Sequence, residues 1–240
     1  MHEVPLILLH GALGDARQMK PVAELLPSEI PYYIVEFSGH GQSADIETYS
    51  IRHFADDVIH LMDTRGVRTA DVFGYSLGGY IAIQAAALYP DRFRRIMTLG
   101  TKFDWTPQSA ASEVRMLDPG TIHQNVPSFA ALLKKRHGAR WPDVCGKTAE
   151  MLVRLGDGEA MQLGPDLLSH PVQMCVGELD TMAGVEQTKM AAEALPGASF
   201  HLLPGVKHPI EKIDLQILAA VILVWRQQAP QPHELPDSLG

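Results

Sequence analysis

The chain has little of what disulfide-stabilised, nucleic-acid-binding or membrane-spanning proteins require. Its 240 residues include only two cysteines, Cys145 and Cys175, too few and too far apart for a disulfide framework or a zinc knuckle. The formal net charge of −8 disfavours nucleic acid and anionic membranes as partners. No apolar run approaches the roughly 20 residues that span a bilayer, so membrane insertion is not expected.

The amino-terminal residues also lack the features of a secretory signal. Residues 1–4 (MHEV) contain no basic segment, and the apolar residues 6–9 run straight into His10-Gly11. Cleavage at this point would remove a strand that looks functional. Together with the low cysteine content, this leads us to expect a cytoplasmic protein.

What the sequence does contain is a regular alternation of strand-like and helix-like segments. Short apolar runs suited to strands occur at residues 4–9, 32–37, 70–75, 95–100, 172–176 and 200–203. Helical patterns lie between them at residues 51–62, 77–88, 185–195 and 210–226, the first of them preceded by the N-cap candidate Ser50. The alternation predicts an α/β fold with a doubly wound, mostly parallel sheet of about six strands.

One long segment interrupts this alternation. Residues 104–163 lack strand patterning but contain helical pieces at 128–135 and 147–155, and a structureless loop of that length is implausible in a compact domain. We therefore expect a small helical lid at 104–163, inserted between two parts of the core at 1–103 and 164–228. The proline-rich residues 229–240 are expected to form a flexible tail.

The hexapeptide GYSLGG at 74–79 is the strongest chemical signal. It follows an apolar run and opens an alanine-rich helical stretch, so Ser76 is expected on a sharp turn between a strand and a helix. Such a turn exposes the hydroxyl as a nucleophile and places the Leu77 N–H at a helix N-terminus, where it can receive an oxyanion. Glycines two residues before and after the serine leave room for its strained backbone.

Further candidates lie at the expected carboxyl ends of other strands. His10-Gly11-Ala12 follows the first strand, where the Ala12 N–H could act as a second oxyanion donor and His10 as a structural hydrogen-bonding group. His208, in GVKHP, follows the last strand and is the expected general base. Asp180, in GELD, is the expected carboxylate partner of that histidine.

Two other carboxylates remain alternatives for that last role. Glu178 belongs to the same GELD segment but sits against the strand end, and Asp104 follows the fourth strand. Asp180 is preferred because it falls between the serine and the histidine in the order Ser, Asp, His.

These segments, in this order, resemble the α/β-hydrolase superfamily along nearly the whole chain. Beside those already described, GHGQS at 39–43 resembles a structural loop that rims the pocket. The resemblance implies a Ser76–His208–Asp180 triad with the Ala12 and Leu77 N–H groups as oxyanion hole. The chain has no room for the strand hairpin that usually opens the family's fold, so a reduced sheet of six parallel strands is expected.

Within the superfamily, the helical segment and the serine turn resemble small-lid esterases and the menaquinone-pathway lyases. Those lyases commonly carry an arginine directly after the double glycine, whereas this chain has Tyr80. The difference favours ester hydrolysis over lyase chemistry on an anionic substrate.

We therefore expect a serine hydrolase that cleaves small-molecule carboxylic esters of small or medium apolar acyl groups, with no metal and no organic cofactor. The expected pocket residues are Leu13, Tyr75, Trp105 and Met182. The alternatives are a carbon–carbon hydrolase or lyase that uses the same triad as base, and a non-catalytic ligand-binding protein on the same fold. Nothing in the sequence indicates an oligomeric state.

Overall fold

The core of the protein is a six-stranded, fully parallel sheet. The computed structural model describes residues 3–228, so the tail predicted at 229–240 lies outside the described residues. The strands are β1 (Leu6–Leu9), β2 (Tyr32–Val35), β3 (Ala70–Tyr75), β4 (Phe93–Leu99), β5 (Val172–Gly177) and β6 (Ala198–Leu203). They are ordered β2-β1-β3-β4-β5-β6, with every neighbouring pair parallel. The predicted fold class is confirmed.

Helices cover both faces of this sheet. They are α1 (Ala16–Ala23), α2 (Ile51–Thr64), α3 (Leu77–Leu88), α4 (Pro107–Met116), α5 (Pro119–Asn125), α6 (Pro127–His137), α7 (Trp141–Arg154), α8 (Val185–Ala194) and α9 (Leu215–Gln227). Alternate residues of β1 enter two separate cores: Ile7 belongs to the core that includes residues of α2, α3 and α8, and Leu8 to the core that includes residues of α1 and α9. Because helices cover both faces of the sheet, consecutive strand residues are buried on either side, and the strands are therefore continuously apolar. Within residues 3–228, no helix is both long and apolar enough to cross a membrane.

Local signals account for most helix boundaries. Ser50 accepts a hydrogen bond from the His53 N–H, as expected for the N-cap of α2. The last helix begins later than the sequence predicted, because Asp214 caps α9 and the preceding residues Ile210–Lys212 form only a 3₁₀ turn. Helix α1 was not predicted, since it is short and contains Pro21.

The segment between β4 and β5 contains four α-helices, α4 to α7, and is termed here the four-helix segment. Each has a proline at its first or second position, where the missing N–H costs no helical hydrogen bond. The helical piece expected at 128–135 falls within α6, and the piece expected at 147–155 matches the second half of α7, which ends one residue earlier. This segment lies above the carboxyl end of the sheet, where its residues line the cavity described below.

The opposite end of the sheet is held by a buried carboxylate. Asp71, fully buried at the start of β3, accepts two hydrogen bonds of 2.7 Å from Arg94 and one of 3.0 Å from Arg226 of α9. The buried Arg95 guanidinium lies 3.8 Å from the same carboxylate. Asp71 therefore links two strands and the last helix through charge-assisted hydrogen bonds.

We expect Asp71→Asn to lower the free energy of unfolding by about 3–5 kcal/mol, because buried arginine charges lose their counter-ion. Chemical denaturation measures this loss. The exposed carboxylate of Asp63, which pairs with Arg92 at 2.7 Å, provides the control. Asp63→Asn should cost no more than about 1 kcal/mol, and equal losses in the two variants would contradict the assignment.

Candidate active site

Ser76 occupies a strained turn between β3 and α3. Its φ of 53° and ψ of −121° lie in a region that side chains other than glycine rarely adopt. The Ser76 N–H donates to the Leu99 carbonyl at 2.8 Å, and the Ser76 carbonyl accepts from the Thr101 hydroxyl at 2.9 Å. Both flanking contacts come from the end of β4, so the neighbouring strand holds the turn in place.

The glycines around Ser76 are required by close backbone contacts. A Cβ atom on Gly74 would collide with the Gly78 carbonyl, and one on Gly78 would lie 2.5 Å from the Leu9 carbonyl oxygen. A Cβ on Gly11 would lie 3.2 Å from the Ser76 Cβ. The turn is thus packed directly against the end of β1 and the loop that follows it.

His208 and Asp180 form a hydrogen-bonded pair beside this turn. The distance between His208 Nδ1 and Asp180 Oδ2 is 2.8 Å, and the Asp180 side chain is almost completely buried. The Tyr75 hydroxyl donates to the His208 carbonyl at 3.0 Å. Tyr75, the last residue of β3, therefore holds the loop after β6 that carries His208.

Asp180 is held in its ionised form. Burial alone would raise the pKa of this carboxyl, but the hydrogen bond from His208 and those from the Ala183 and Met182 N–H groups outweigh it and lower the pKa. An ionised Asp180 requires a proton on His208 Nδ1. In the neutral imidazole, Nε2 is then the nitrogen that can accept a proton.

The two alternative carboxylates have other partners. Asp104 is half-exposed and lies 3.4 Å from the Lys102 amine. Glu178 accepts a hydrogen bond of 2.8 Å from the Gly205 N–H, which fixes the start of the loop that leads to His208. Of the three candidates, Asp180 is the one hydrogen-bonded to His208.

A cavity of about 490 Å³ opens at this end of the sheet. Of the nine residues expected in the triad, the oxyanion hole and the pocket, eight line it: Ala12, Leu13, Tyr75, Ser76, Leu77, Trp105, Met182 and His208. Asp180, the ninth, lies behind His208. The four-helix segment contributes apolar side chains that include Met116, Ile122, Val126, Phe129 and Leu152. The cavity size falls in the range of about 300–1,000 Å³ that is typical of small-molecule sites.

The cavity wall also contains charged residues that sequence reasoning missed. Lys102 lies 3.7 Å from Glu113 of α4, and Arg136 of α6 donates to Glu211 at 2.6 Å. Arg136 belongs to the basic run KKR at 134–136, a pattern typical of a solvated helix end, yet only 6% of this residue is exposed. A basic run at a helix end gives no sign of which residue turns inward.

Tyr80, where the lyases carry arginine, also lines the cavity. Its hydroxyl accepts a hydrogen bond of 2.7 Å from the Met161 N–H. Burial raises the pKa of this phenol to about 12, so Tyr80 is neutral at physiological pH. This wall of the cavity therefore presents an uncharged ring where the lyases would place a cation.

His10 lies beneath the loop after β1, as predicted. Its Nε2 accepts from the Phe37 N–H at 3.3 Å, so Nδ1 carries the proton and donates to the Gly11 carbonyl at 2.8 Å. Burial lowers the pKa of His10 to about 3 and that of His40 well below its ordinary value. Both rings are therefore neutral at physiological pH.

This neutrality predicts an acid-sensitive fold. The unfolded chain binds a proton at each histidine below pH 6.5, whereas folded His10 stays neutral down to about pH 3. The stability that these neutral histidines contribute is therefore fully present above pH 6.5 and is lost as the pH falls. Between pH 6 and 5, His10 and His40 should each lower the free energy of unfolding by about 1.2 kcal/mol. Denaturation across this range measures the decrease, and a constant free energy would contradict the prediction.

Within residues 3–228, no group of three or more histidine, cysteine, aspartate or glutamate side chains is arranged to hold a metal ion. Cys145 and Cys175 are both buried free thiols, and burial raises the pKa of each to about 12. The groups gathered around the cavity are instead a hydroxyl, an imidazole, a carboxylate and backbone N–H donors. This set is suited to nucleophilic or acid–base chemistry.

The sheet order, the strained serine turn and the histidine–carboxylate pair together define an α/β-hydrolase. In agreement, residues 4–140 match the family model described as alpha/beta hydrolase fold, and the chain belongs to this family.

The names of individual relatives specify different activities. The chain is 25% identical to the 2-(acetamidomethylene)succinate hydrolase of Mesorhizobium japonicum, over 91% of this chain and 86% of that protein. It is 35% identical to the 2-succinyl-6-hydroxy-2,4-cyclohexadiene-1-carboxylate synthase of Yersinia enterocolitica, but over only 34% of this chain and 29% of that protein. A thermophilic esterase from Thermogutta terrifontis superposes with a TM-score of 0.77 at 22% identity, covering 95% of this chain and 91% of the esterase.

Proposed function

We propose that the protein is a serine hydrolase that cleaves carboxylic esters through an acyl-enzyme on Ser76. The observation that carries the proposal is the strained Ser76 turn on the wall of a cavity that His208 also lines, with His208 hydrogen-bonded to a buried carboxylate. Strain of this kind is retained where the surrounding structure enforces it, and it presents the side chain to a substrate.

Each step of the reaction has a candidate group. The Ser76 hydroxyl attacks the ester carbonyl while His208 Nε2 takes its proton. The Ala12 and Leu77 N–H groups receive the oxyanion, and Asp180 stabilises the imidazolium. His208 then returns the proton to the leaving alcohol, and a water activated by His208 releases the acid from Ser76.

The cavity lining supports an uncharged ester with a small or medium apolar acyl group. Most of the lining side chains are apolar, and the four charged ones described above stand in two opposite-charge pairs. A charged substrate would have to compete with these pairs. The Glu113 side chain is only 15% exposed, and this burial raises the pKa of its carboxyl.

We expect a fluorophosphonate probe to label Ser76, because the probe reacts with serine hydroxyls that a neighbouring base activates. Intact-protein and peptide mass spectrometry measures the adduct. Labelling should disappear in Ser76→Ala and fall sharply in His208→Ala. Undiminished ester turnover in Ser76→Ala would overturn the proposal.

We expect Asp180→Asn to reduce kcat by about 10⁴, because an amide favours the wrong tautomer of His208 and cannot stabilise its charge. Steady-state hydrolysis of p-nitrophenyl butyrate measures the loss. Asp104→Asn is the matched control, since Asp104 pairs with Lys102 rather than His208. A comparable loss in the control would reject the assignment of Asp180.

A carbon–carbon hydrolase or lyase that uses the same residues as base is the second candidate. It is favoured by the two relatives whose names specify carboxylate-bearing compounds, one of which aligns along most of the chain. The two candidates differ in the fate of Ser76. A pre-steady-state burst of p-nitrophenol, with one acyl group per chain, supports the esterase, whereas turnover of activated esters without an acyl-enzyme supports the second candidate.

A further inference from the structure

The loop at residues 10–15, termed here the β1 loop, contains a strained residue of its own. Leu13 has a φ of 55°, a conformation that costs a residue with a Cβ about 1–2 kcal/mol. It directly follows Ala12, the proposed oxyanion donor. Interactions outside the loop must therefore hold this backbone in place, since local preference opposes it.

The core provides part of this restraint. The Gly11 N–H donates to the Gln18 side chain at 3.0 Å, and the Gly11 carbonyl accepts from the Gly14 N–H at 3.0 Å as well as from His10. The Gly11 carbonyl shares its peptide unit with the Ala12 N–H, and the Gly14 N–H shares its unit with the Leu13 carbonyl. The hydrogen bond from Gly14 to Gly11 therefore couples the Leu13 carbonyl to the Ala12 N–H. The Leu13 carbonyl itself is held by partners outside the loop.

Those partners come from the last turn of α6 in the four-helix segment. The Leu13 carbonyl lies 3.0 Å from His137 Nε2 and 3.4 Å from Arg136 Nη1. His137 Nδ1 accepts from the Gly41 N–H at 3.0 Å, so Nε2 carries the proton and donates to Leu13. Burial lowers the pKa of His137, which keeps the ring in this neutral form.

The end of α6 is tied back to the core in return. The Lys135 and Arg136 carbonyls lie in the last turn of α6 and have no partner within the helix. Arg17 donates to them at 3.0 and 2.9 Å. Glu211 accepts from Arg136 at 2.6 Å and from Gln18 at 2.9 Å. Since Gln18 also holds the Gly11 N–H, hydrogen bonds reach the β1 loop from both sides of Ala12.

We propose that Arg136 and His137 are positioning residues for the oxyanion site: by holding the Leu13 carbonyl, they orient the Ala12 N–H. The inference rests on the proposed function, in which Ala12 is an oxyanion donor. It makes the end of α6 a part of the catalytic geometry as well as of the cavity wall. Arg136 acts through Leu13, because its guanidinium is engaged by Glu211 and its side chain is only 7% exposed.

Arg136→Met tests this role. Loss of a complete oxyanion donor costs about 10²–10³ in rate, so a displaced donor should lower kcat by about tenfold or more, while KM changes by less than about twofold. A butyl trifluoromethyl ketone reports on the oxyanion site, because it forms a tetrahedral adduct with Ser76. Its affinity should fall by the same factor as kcat, whereas that of the matching methyl ketone should not change.

His137→Leu removes the shorter bond to the Leu13 carbonyl and should also lower kcat and the affinity for the trifluoromethyl ketone. Arg136→Lys should retain more of the kcat than Arg136→Met. These variants keep the test decisive if Arg136→Met does not fold. A change confined to KM would overturn the inference, because it would make Arg136 a substrate-binding residue instead.

Arg140→Met is the matched control. Arg140 also joins the four-helix segment to the core, through the Gly41 and Ser43 carbonyls at 3.3 and 3.2 Å, but it does not contact the β1 loop. Its kcat and trifluoromethyl ketone affinity should stay within about twofold of the wild type, whatever the change in Tm. Equal effects in Arg136→Met and Arg140→Met would overturn the inference while the wild type remains an active esterase. A wild type that fluorophosphonate does not label would instead overturn the proposed function, and the inference with it.

Discussion

The backbone of Ser76 is the constraint around which the cavity end of the molecule is arranged. Its positive φ is maintained because Leu99 of β4 and Thr101, two residues further on, form hydrogen bonds with the Ser76 backbone, and because α3 packs closely against β3. The close packing requires glycine at positions 74 and 78, and Gly78 in turn contacts the end of β1. The strained residue thus lies where three strands and one helix are in close contact.

The other polar groups reach the cavity because parallel strands deliver their loops to one edge of the sheet. Neighbouring loops are then joined directly: Tyr75 to the carbonyl of His208, and Glu178 to the N–H of Gly205. The histidine–aspartate pair is thus held by contacts from β3 and β5 as well as by its own hydrogen bond. Such cross-links limit the freedom of loops that would otherwise be the most mobile part of an α/β protein.

The four-helix segment closes the cavity with apolar side chains and with charges that are neutralised in pairs. Relatives that share the fold have names that specify a hydrolase, a synthase and an esterase. A common sheet therefore does not select the substrate. In this chain, residues of α4 to α7, together with Tyr80 and Lys102, line the cavity beside the candidate catalytic groups.

The sequence by itself was sufficient for the strand alternation, the sheet of six parallel strands, the serine turn and the order of the candidate residues. Each of these depends on local features: apolar runs, glycine spacing and the place of a residue just after a strand. Helix α1, with its internal proline, and the late start of α9 were missed because several weak local preferences competed there. The inward orientation of Arg136, its pairing with Glu211 and the contact of α6 with Leu13 were decided only by the tertiary structure. Arg136 is 75 positions from Glu211 and 123 positions from Leu13 along the chain. No local sequence pattern indicates which side chain at the end of a helix will contact so distant a loop.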